Sequence, residues 1–459
     1  MSVFSLSNLK KTWYYLQKNG IRNAVWAVLE RIGQEQEVYT WQEPDEKTLS
    51  FQREHSASLR ISIVVPTYRT KKEHLEAMLN SVSNQSYPHW ELIVADAGDT
   101  AESVQAWAKK NGICLREAAD ASNLAEWKDQ SIMLCTLSEN KGISANTNAG
   151  IELAAGDAVG LLDHDDLLTA NALWEMAGCL EKEKKRGKQK LVLFSDEDKC
   201  DGAASRFYEP NFKPDFDGEL LLTNNYICHF TVIETAFLKE LKLRSGFDGA
   251  QDYDLMLRAY AAGGQFVHVP KVLYHWRCHE ASTASNPQSK RYAYEAGQRA
   301  LEDYCLRKGW KATVSGLKHL GFYREDYEDS VFCQRPEIGI WAKPLPGGRD
   351  VFGIRHPKGF LVSGLYENDG SMRYAGLRKG YSGPMHRAAL QQSAPAADLR
   401  SMEVCSALKE RYAQTIAELK EACQGLPTAA QETKILQKSM EFCKEATASG
   451  YGILWDPQA

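Results

Sequence analysis

Short apolar runs alternate with amphipathic stretches through the central part of the chain. Ile61–Val65 and Trp90–Ala95 are brief and rich in β-branched or large apolar residues, a pattern typical of buried strands. The stretches Lys71–Asn84 and Ala101–Lys110 have the composition and length of helices. Strands that alternate with helices indicate β-α-β units and a mostly parallel sheet with both faces covered. We therefore predict an α/β fold.

The regions on either side differ from this pattern. Residues 1–58 contain few turn formers, and their apolar and basic residues recur at helical spacing, which predicts an N-terminal helical segment. Such a helix either packs against the next domain or lies on an anionic membrane surface. Residues 59–325 carry the α/β pattern. Residues 326–459 are richer in Gly and Pro before a helical stretch at 398–426, and we predict a smaller C-terminal α/β domain there.

Composition narrows the function classes. A net charge of −5 gives no electrostatic reason to expect a nucleic-acid partner. The eleven cysteines include no C-x-x-C pair, which favours reduced thiols in a cytoplasmic protein over a zinc ribbon. No run approaches the ~18 apolar residues of a membrane span, and the first residues lack the pattern of a signal peptide. We expect a cytoplasmic protein.

Acidic residues follow several of the apolar runs. Asp96 follows the second run, Asp163-His164-Asp165-Asp166 follows a later one, and Asp196 and Asp198 follow Leu191–Phe194. In open α/β sheets, ligands bind at the carboxyl ends of the strands. Carboxylates gathered there repel one another unless a cation neutralises them, so we predict a Mg²⁺ or Mn²⁺ site. Taken alone, D-x-D is equally typical of a solvated loop or a helix N-cap.

Nine motifs in register strengthen this interpretation. They are I-S-I-V-V-P-T-Y, E-L-I-V-A-D-A-G-D, N-K-G-I-S-A-N-T-N-A-G-I, L-L-D-H-D-D-L-L, F-S-D-E-D-K, F-K-P-D-F, N-N-Y-I, G-A-Q-D-Y-D-L-M-L-R and V-P-K-V-L-Y-H-W-R. Through about residues 60–322 the sequence resembles the family 2 glycosyltransferases, whose fold is GT-A. It is especially similar to the bacterial members that build O-antigen and other cell-surface polysaccharides.

The resemblance implies a nucleotide-sugar donor, UDP- or dTDP-linked, and a glycan or lipid-linked saccharide acceptor. Asp96 is expected to accept the imide N–H of the uracil or thymine ring, and Asp163 to face the ribose and phosphates. The implied donor-binding residues are Pro66, Thr67, Tyr68, Asp96, Asn140, Gly142, Asn148, Asp163, His164 and Arg277.

The resemblance also implies the metal ligands and the base. Asp165 is expected to bind the metal directly, and His275 to complete its shell, with His279 as a rival. Asp252 matches the family's general base. Asp254 is two residues further on, faces another way on a helix, and is expected to act only as an N-terminal helix charge. Asp196 and Asp198 resemble an acceptor-side motif of less certain role.

Two departures from the family pattern concern donor contacts. Thr147 stands where many members have Arg, and Ala97 stands where many have a second Asp. In the C-terminal region, the segment from Gly450 to Pro457 resembles that from Gly263 to Pro270. We therefore expect 326–459 to resemble a truncated second transferase module without its own chemistry, unless the likeness is coincidental. The non-enzyme alternative for the whole chain is an inactive glycan-binding or scaffold subunit.

Overall fold

The computed structural model describes residues 39–118, 128–278, 291–316, 320–328, 331–335, 338–342, 365–366, 372–373, 403–404, 406–414, 417 and 452–455. The predicted helix within residues 1–38, His279 and most of the predicted 398–426 helix lie outside these ranges. Cα packing separates two compact units. One consists chiefly of Thr40–Gln334, and the second contains the described residues from Arg335 onward.

A mixed, mostly parallel sheet forms the centre of the first unit. Its strands are β1 (Ile61–Thr67), β2 (Trp90–Asp96), β3 (Cys114–Ala118), β4 (Ser131–Thr136), β5 (Ala158–Leu161), β6 (Leu167–Leu168), β7 (Leu191–Asp201), β8 (Phe207–Asn211), β9 (Thr231–Glu234) and β10 (Gln265–Cys278). Their spatial order is β3-β4-β2-β1-β5-β9-β7-β10-β6, and β8 pairs with β7. The α/β class predicted from the apolar runs is confirmed.

Helices cover this sheet because each buries one apolar stripe. They are α1 (Glu46–Glu54), α2 (Lys72–Ser83), α3 (Ala101–Asn111), α4 (Ile143–Leu153), α5 (Ala172–Lys185), α6 (Gly218–Thr223), α7 (Thr235–Leu241), α8 (Gln251–Ala261), α9 (Arg291–Arg307) and α10 (Val331–Gln334), with a 3-10 turn at Ser245–Phe247. In α2 the buried side chains Leu75, Met78, Leu79 and Val82 recur at helical spacing. None of the helices in the described ranges has the length and apolar character needed to cross a bilayer.

Strand direction determines where loops meet. Strands β1, β2, β4 and β5 run parallel, so their carboxyl ends share one edge of the sheet. From β1 the chain first proceeds to β2 on one side and later to β5 on the other, which makes the β1/β5 boundary a topological switch point. Ligands bind in the crevice at such a point. Strand β9 is antiparallel, with Thr231 opposite Leu161, so the residues before β9 arrive at the same edge.

Two strands are longer than the apolar runs predicted. Strand β7 continues through Asp196 and Asp198, and β10 continues through His275 and Arg277, so these residues lie within strands and not after them. The physical reason is that β7 and β10 pair in parallel over almost their whole length, with bulges near Val272. Each strand's polar side chains find partners on neighbouring elements, as described below, which allows charged residues to be buried inside the sheet.

Short elements follow the first unit's sheet. Strands β11 (Ala312–Gly316) and β12 (Tyr323–Tyr327) form an antiparallel pair within the first unit. In the second unit, β13 (Ile338–Ala342), β16 (Glu403–Val404) and β17 (Gly452–Trp455) form one sheet, β14 (Leu365–Tyr366) pairs with β15 (Met372–Arg373), and α11 spans Ser406–Arg411. Whether this unit repeats the first unit's fold stays a prediction.

Candidate active site

Asp163, Asp166 and His229 form a cluster at the carboxyl edge of β5. One potential ligand atom from each lies within 4.8 Å of the others. The register explains the approach: Leu161 pairs with Thr231, Asp163 lies two residues beyond the first, and His229 lies two residues before the second. Two carboxylate oxygens and an imidazole nitrogen are a suitable donor set for a divalent cation.

The electrostatics of this cluster favour a cation. Burial raises the pKa of Asp163, and the charges of Asp165 and Asp252 raise it further against the opposing effect of His229. Burial also raises the pKa of Asp166 well above its usual range, and the neighbouring charges of Asp165 and Asp163 add to the increase. Both shifts mean that the ionised carboxylates are held in an unfavourable environment, which bound positive charge relieves.

Asp166 is also the residue that fixes the Asp163–Asp166 loop to β10. Its Oδ2 accepts a hydrogen bond from the Tyr274 hydroxyl at 2.5 Å, and its Oδ1 accepts one from the backbone N–H of Arg277 at 2.7 Å. Asp166 is 1% exposed. The same carboxylate thus supports the loop and belongs to the candidate metal cluster.

The Arg277 side chain stabilises this loop by hydrogen bonds to backbone carbonyls. Its Nε donates to the carbonyl of Asp165 at 2.5 Å and its Nη1 donates to the carbonyl of Gly202 at 2.8 Å. The side chain is almost completely buried. The guanidinium thus holds backbone carbonyls around the loop, while its buried Nη2 has no hydrogen-bond partner among the described residues, and contact with a donor phosphate stays a prediction. Asp165 itself is half-buried, and its charge acts on both Asp163 and Asp166.

His229 comes from the loop between α6 and β9. Its ring stacks on Tyr274, with centroids 4.7 Å apart and planes 11° apart. The buried ammonium of Lys213 donates to the carbonyls of Ile227 (2.5 Å) and His229, and it pairs with Glu197. Across the described residues, no hydrogen bond to the ring nitrogens of His229 is formed, so a cation can reach them.

His275, the histidine predicted to bind metal, is committed elsewhere. Its Nδ1 lies 2.5 Å from Asp198 Oδ1, and both side chains are buried. Trp41 and Phe207 enclose the ring, with centroids 5.0 and 4.3 Å away. The histidine that joins Asp163 and Asp166 in the cluster is His229, and a metal-binding role for His275 stays a prediction. The His275–Asp198 pair buries charge inside the sheet because β7 and β10 bring the two residues into register.

Asp196, predicted on the acceptor side, is likewise a buried partner of a histidine. It accepts hydrogen bonds from the backbone N–H of Lys213 and from His268 Nε2, each at 2.8 Å. Asp196 and Asp198 are 2% and 0% exposed. Both carboxylates therefore have internal partners in the structure, and their acceptor-side role stays a prediction.

Asp252 lies in the first turn of α8 and points toward the cluster. Its charge contributes to the raised pKa of Asp163, after burial and the charge of Asp165. Its Oδ2 accepts a hydrogen bond from Asn225 Nδ2 at 2.7 Å. By contrast, Asp254 is 1% exposed and forms ion pairs with Arg244 and with Arg258, the latter at 2.9 Å. Of the two acids, only Asp252 faces the site.

Asp96 caps a helix. Its carboxylate accepts hydrogen bonds from Thr67 Oγ1 (2.9 Å), from the backbone N–H groups of Gly98 (3.1 Å), Thr100 (3.1 Å) and Ala101 (2.9 Å), and from the Thr100 hydroxyl. With Asp96 0% exposed, both oxygens are engaged at the start of α3. Asp96 therefore binds the backbone N–H groups at the start of α3, and it lies next to Thr67 at the end of β1.

The other residues of the predicted nucleoside pocket line that edge. Thr67 is buried against Asp96, Pro66 is half-buried in β1, and Tyr68 is 40% exposed at the end of the strand. A side chain at Gly98 would lie 3.3 Å from the Tyr68 ring, so this glycine allows the two loops to approach closely.

Asn140 and Gly142 shape the turn that begins α4. Asn140 Oδ1 accepts hydrogen bonds from Gly142 N (3.0 Å) and Asn146 Nδ2 (2.9 Å). Gly142 has φ of +95°, and a Cβ there would collide with Asp248. Asn148, further along the helix, pairs its amide with both backbone groups of Leu243, at 2.8 and 2.9 Å. These two bonds engage the Asn148 amide with the backbone, and its contact with the donor stays a prediction.

His164 has a buried Nδ1 with no hydrogen-bond partner among the described residues. A buried polar atom without a partner is unfavourable and is commonly satisfied by a ligand, ion or water. Because His164 lies between Asp163 and Asp165, this nitrogen marks the D-x-D loop as a place for a ligand to bind.

Sequence reasoning missed His229, Asn225 and Lys213. The signal for the first two was present, since both belong to the segment N-N-Y-I-C-H-F, which was recognised only for its first four residues. Lys213 belongs to F-K-P-D-F, but a lysine in a polar segment carries no sign that it will be buried. Only the antiparallel insertion of β9 between β5 and β7 brings these residues to the site.

Comparisons with known proteins identify the family that part of the chain resembles. Residues 62–241 match the family described as glycosyl transferase family 2. The chain is 34% identical over 256 residues to the O-antigen biosynthesis protein RfbC of Myxococcus xanthus, covering 56% of this chain and 19% of that protein. It is 30% identical over 114 residues to the Escherichia coli UDP-Glc:alpha-D-GlcNAc-diphosphoundecaprenol beta-1,3-glucosyltransferase WfgD, covering 25% of this chain and 38% of that protein.

A solved structure with a similar fold is Staphylococcus aureus TarS 1-349 in complex with UDP-GlcNAc. It aligns with a TM-score of 0.40 at 19% identity, covering 54% of this chain and 67% of that one. The chain thus spans well under half the length of the two sequence relatives named above. The matched residues include both D-x-D carboxylates and His229. Residues 62–241 therefore form a glycosyl transferase family 2 domain within the chain.

Proposed function

We propose that this chain is an inverting, metal-dependent glycosyltransferase. It moves a sugar from a UDP- or dTDP-sugar to a hydroxyl of a glycan or lipid-linked saccharide during surface polysaccharide biosynthesis. The observation that carries the proposal is the meeting of Asp163, Asp166 and His229 with Asp252 at one edge of a family 2 domain.

The donor binds at the switch point between β1 and β5. Thr67 and Tyr68 end one strand, Asp163 follows the other, and the unsatisfied His164 Nδ1 lies beside it. A flat, partly exposed tyrosine suits one face of a nucleobase. Asp96, by capping α3, sets the shape of the loop that closes this pocket.

The residues present suit Mg²⁺ or Mn²⁺. Asp163, Asp166 and His229 would hold the cation, and Asp165 adds negative charge nearby. When bound, the cation neutralises charge on the nucleoside diphosphate that leaves.

Asp252 supplies the base. An inverting transfer requires the acceptor hydroxyl to lose its proton as its oxygen attacks the anomeric carbon from the face opposite the leaving diphosphate. Asp252 is half-buried at the start of α8, on the cluster's side of the helix, and its charge is felt at Asp163. A carboxylate in that position can take the proton.

Two relatives support the acceptor class. RfbC is named for O-antigen biosynthesis, and WfgD for a diphosphoundecaprenol acceptor. We propose a saccharide on a lipid carrier or a growing glycan, and with it peripheral contact with the inner face of the membrane. The basic segment of residues 10–32 provides a charge suited to that surface.

The test is a panel of UDP- and dTDP-sugars added to the purified chain with Mn²⁺. We expect one of them to raise the thermal midpoint, because a ligand bound only by the folded state stabilises it, and the same donor to be turned over. Glycan binding without turnover of any nucleotide sugar would instead support the inactive scaffold. If the chain shows no binding and no turnover, both functions are contradicted.

A further inference from the structure

Two donors approach the Asp252 carboxylate from the same loop. Asn225 Nδ2 lies 2.7 Å from Asp252 Oδ2, and Cys228 Sγ lies 3.8 Å from that same oxygen. Within the described part of the chain, Oδ1 of Asp252 has no hydrogen-bond partner. The two oxygens of the Asp252 carboxylate therefore differ: Oδ2 accepts hydrogen bonds from the loop, and Oδ1 is available to a ligand.

The loop that carries Asn225 is itself anchored on both sides. Before it, Asn224 forms a β-bridge with Phe322. After it, the Lys213 ammonium holds the carbonyls of Ile227 and His229. Asn225 is therefore presented to Asp252 by a scaffold that does not depend on Asp252, which is the requirement for one residue to position another.

Cys228 also donates to Oδ2 of Asp252, but this hydrogen bond is weak. Burial raises the pKa of its thiol well above the usual range, and the charge of Asp252 adds to the increase. The sulfur therefore keeps its proton, and a thiol is only a weak hydrogen-bond donor. The Asn225 amide is the stronger of the two tethers.

We propose that Asn225 is a positioning residue that ties down Oδ2 of Asp252 and leaves Oδ1 directed at the acceptor hydroxyl. This inference rests on the proposed transferase function. In the transfer, the acceptor O–H bond breaks and its proton passes to Oδ1. The acceptor oxygen bonds to the anomeric carbon, and the electron pair of the breaking carbon–oxygen bond leaves with the diphosphate.

A space-filling role for Asn225 makes a different prediction, and an isosteric substitution separates the two. Asn225→Asp keeps the shape but places a second carboxylate at hydrogen-bond distance from Asp252. Two such groups either repel each other or share one proton, and both outcomes disturb the position or the protonation of Asp252. Asn225→Ala removes the donor without adding charge. Gln105→Ala is the matched control, because it breaks an amide–carboxylate bond of 2.6 Å to Glu117 on the exposed surface.

The experiment measures kcat and donor KM for the wild type and these three variants. We expect both Asn225 variants to lose about 10- to 100-fold in kcat, a fraction of what a general base contributes, with donor KM within about twofold. We expect Asn225→Asp to be no better than Asn225→Ala, and Gln105→Ala to match the wild type. The donor-dependent thermal shift checks that each variant is folded.

Wild-type activity in Asn225→Asp, or unchanged kcat in both variants, would overturn the positioning role and leave the transferase function standing. An increase in donor KM with unchanged kcat would also overturn it. A wild type that turns over no donor overturns the proposed function, and this inference with it. If Asn225→Ala fails to fold, the isosteric Asn225→Asp decides the matter.

Discussion

At the scale of single residues, the same side-chain type has opposite roles depending on its partners. Asp252 and Asp254 are two positions apart on α8, yet one faces the cluster and the other is buried between Arg244 and Arg258. His229 and His275 differ in the same way, since one lies in the cluster and the other is held by Asp198. From the sequence, helix geometry was enough to distinguish the roles of the two acids. The two histidines could not be distinguished in this way, because their difference arises from strand pairing.

The two histidines allow a direct comparison. We expect His229→Ala to remove most of the Mn²⁺-dependent stabilisation while changing metal-free stability little, because its ring nitrogens make no internal hydrogen bond among the described residues. We expect His275→Ala to do the reverse, since it leaves the buried Asp198 carboxylate without this partner and should cost about 3 kcal/mol. Thermal unfolding with Mn²⁺ and with chelator measures both. Loss of the Mn²⁺ effect in His275→Ala alone would restore the original ligand prediction.

At the scale of elements, two long strands and one anchored loop build the site. The short apolar runs predicted β1 and β2 closely, because those strands are buried on both faces and consist mainly of apolar residues. They did not predict how far β7 and β10 extend, because their outer halves consist of charged residues that are stable in a sheet only when each meets its partner. The Asp163–Asp166 loop was found from its position after β5, whereas the loop before β9 needed knowledge of β9's direction.

Lys213 tests the importance of that loop. We expect Lys213→Met to destabilise the protein by about 3 kcal/mol or more, because it leaves Glu197 buried without its ammonium partner and two carbonyls without a donor. It should also reduce Mn²⁺-dependent stabilisation by releasing His229. Denaturant unfolding with and without Mn²⁺ measures the two effects.

Lys199→Met is the matched control for Lys213. Its ion pair with Glu209 is at the surface, where such pairs contribute about 0.5 kcal/mol. An effect of Lys213→Met as small as that of Lys199→Met would show that the loop keeps its conformation without the buried ammonium.

At the scale of the whole molecule, the candidate site lies within the first unit, and its acidic cluster opposes folding when no cation is bound. The pKa values of Asp163 and Asp166 are raised in the folded state, first by burial and then by neighbouring carboxylates. Between the unfolded and the raised folded pKa, the folded protein binds more protons than the unfolded one. Metal-free stability should therefore fall as pH increases through that interval.

This gives a pH-dependent prediction. As pH increases from the usual range of an aspartate toward the raised pKa values of Asp163 and Asp166, we expect the metal-free protein to lose stability from this cluster, and the Mn²⁺-dependent gain to grow because the cation binds the ionised carboxylates. In the metal-free protein, Asp163→Asn should weaken the dependence of stability on pH. It should also raise the thermal midpoint near neutral pH by roughly 2 °C. Unfolding midpoints across this pH range, with chelator and with Mn²⁺, provide the comparison. A Mn²⁺ effect that shrinks with increasing pH would contradict a carboxylate site.

The most direct test of the central claim compares sugar transfer by the wild type and by Asp252→Asn, with the stabilising nucleotide sugar and an acceptor saccharide, in Mn²⁺ and in chelator. Asn can still accept the Asn225 hydrogen bond, so the fold and the donor-dependent thermal shift should be retained. We predict transfer by the wild type in Mn²⁺ only, and a loss of about 100-fold or more in Asp252→Asn. Equal transfer by both proteins, or undiminished transfer in chelator, would contradict the account.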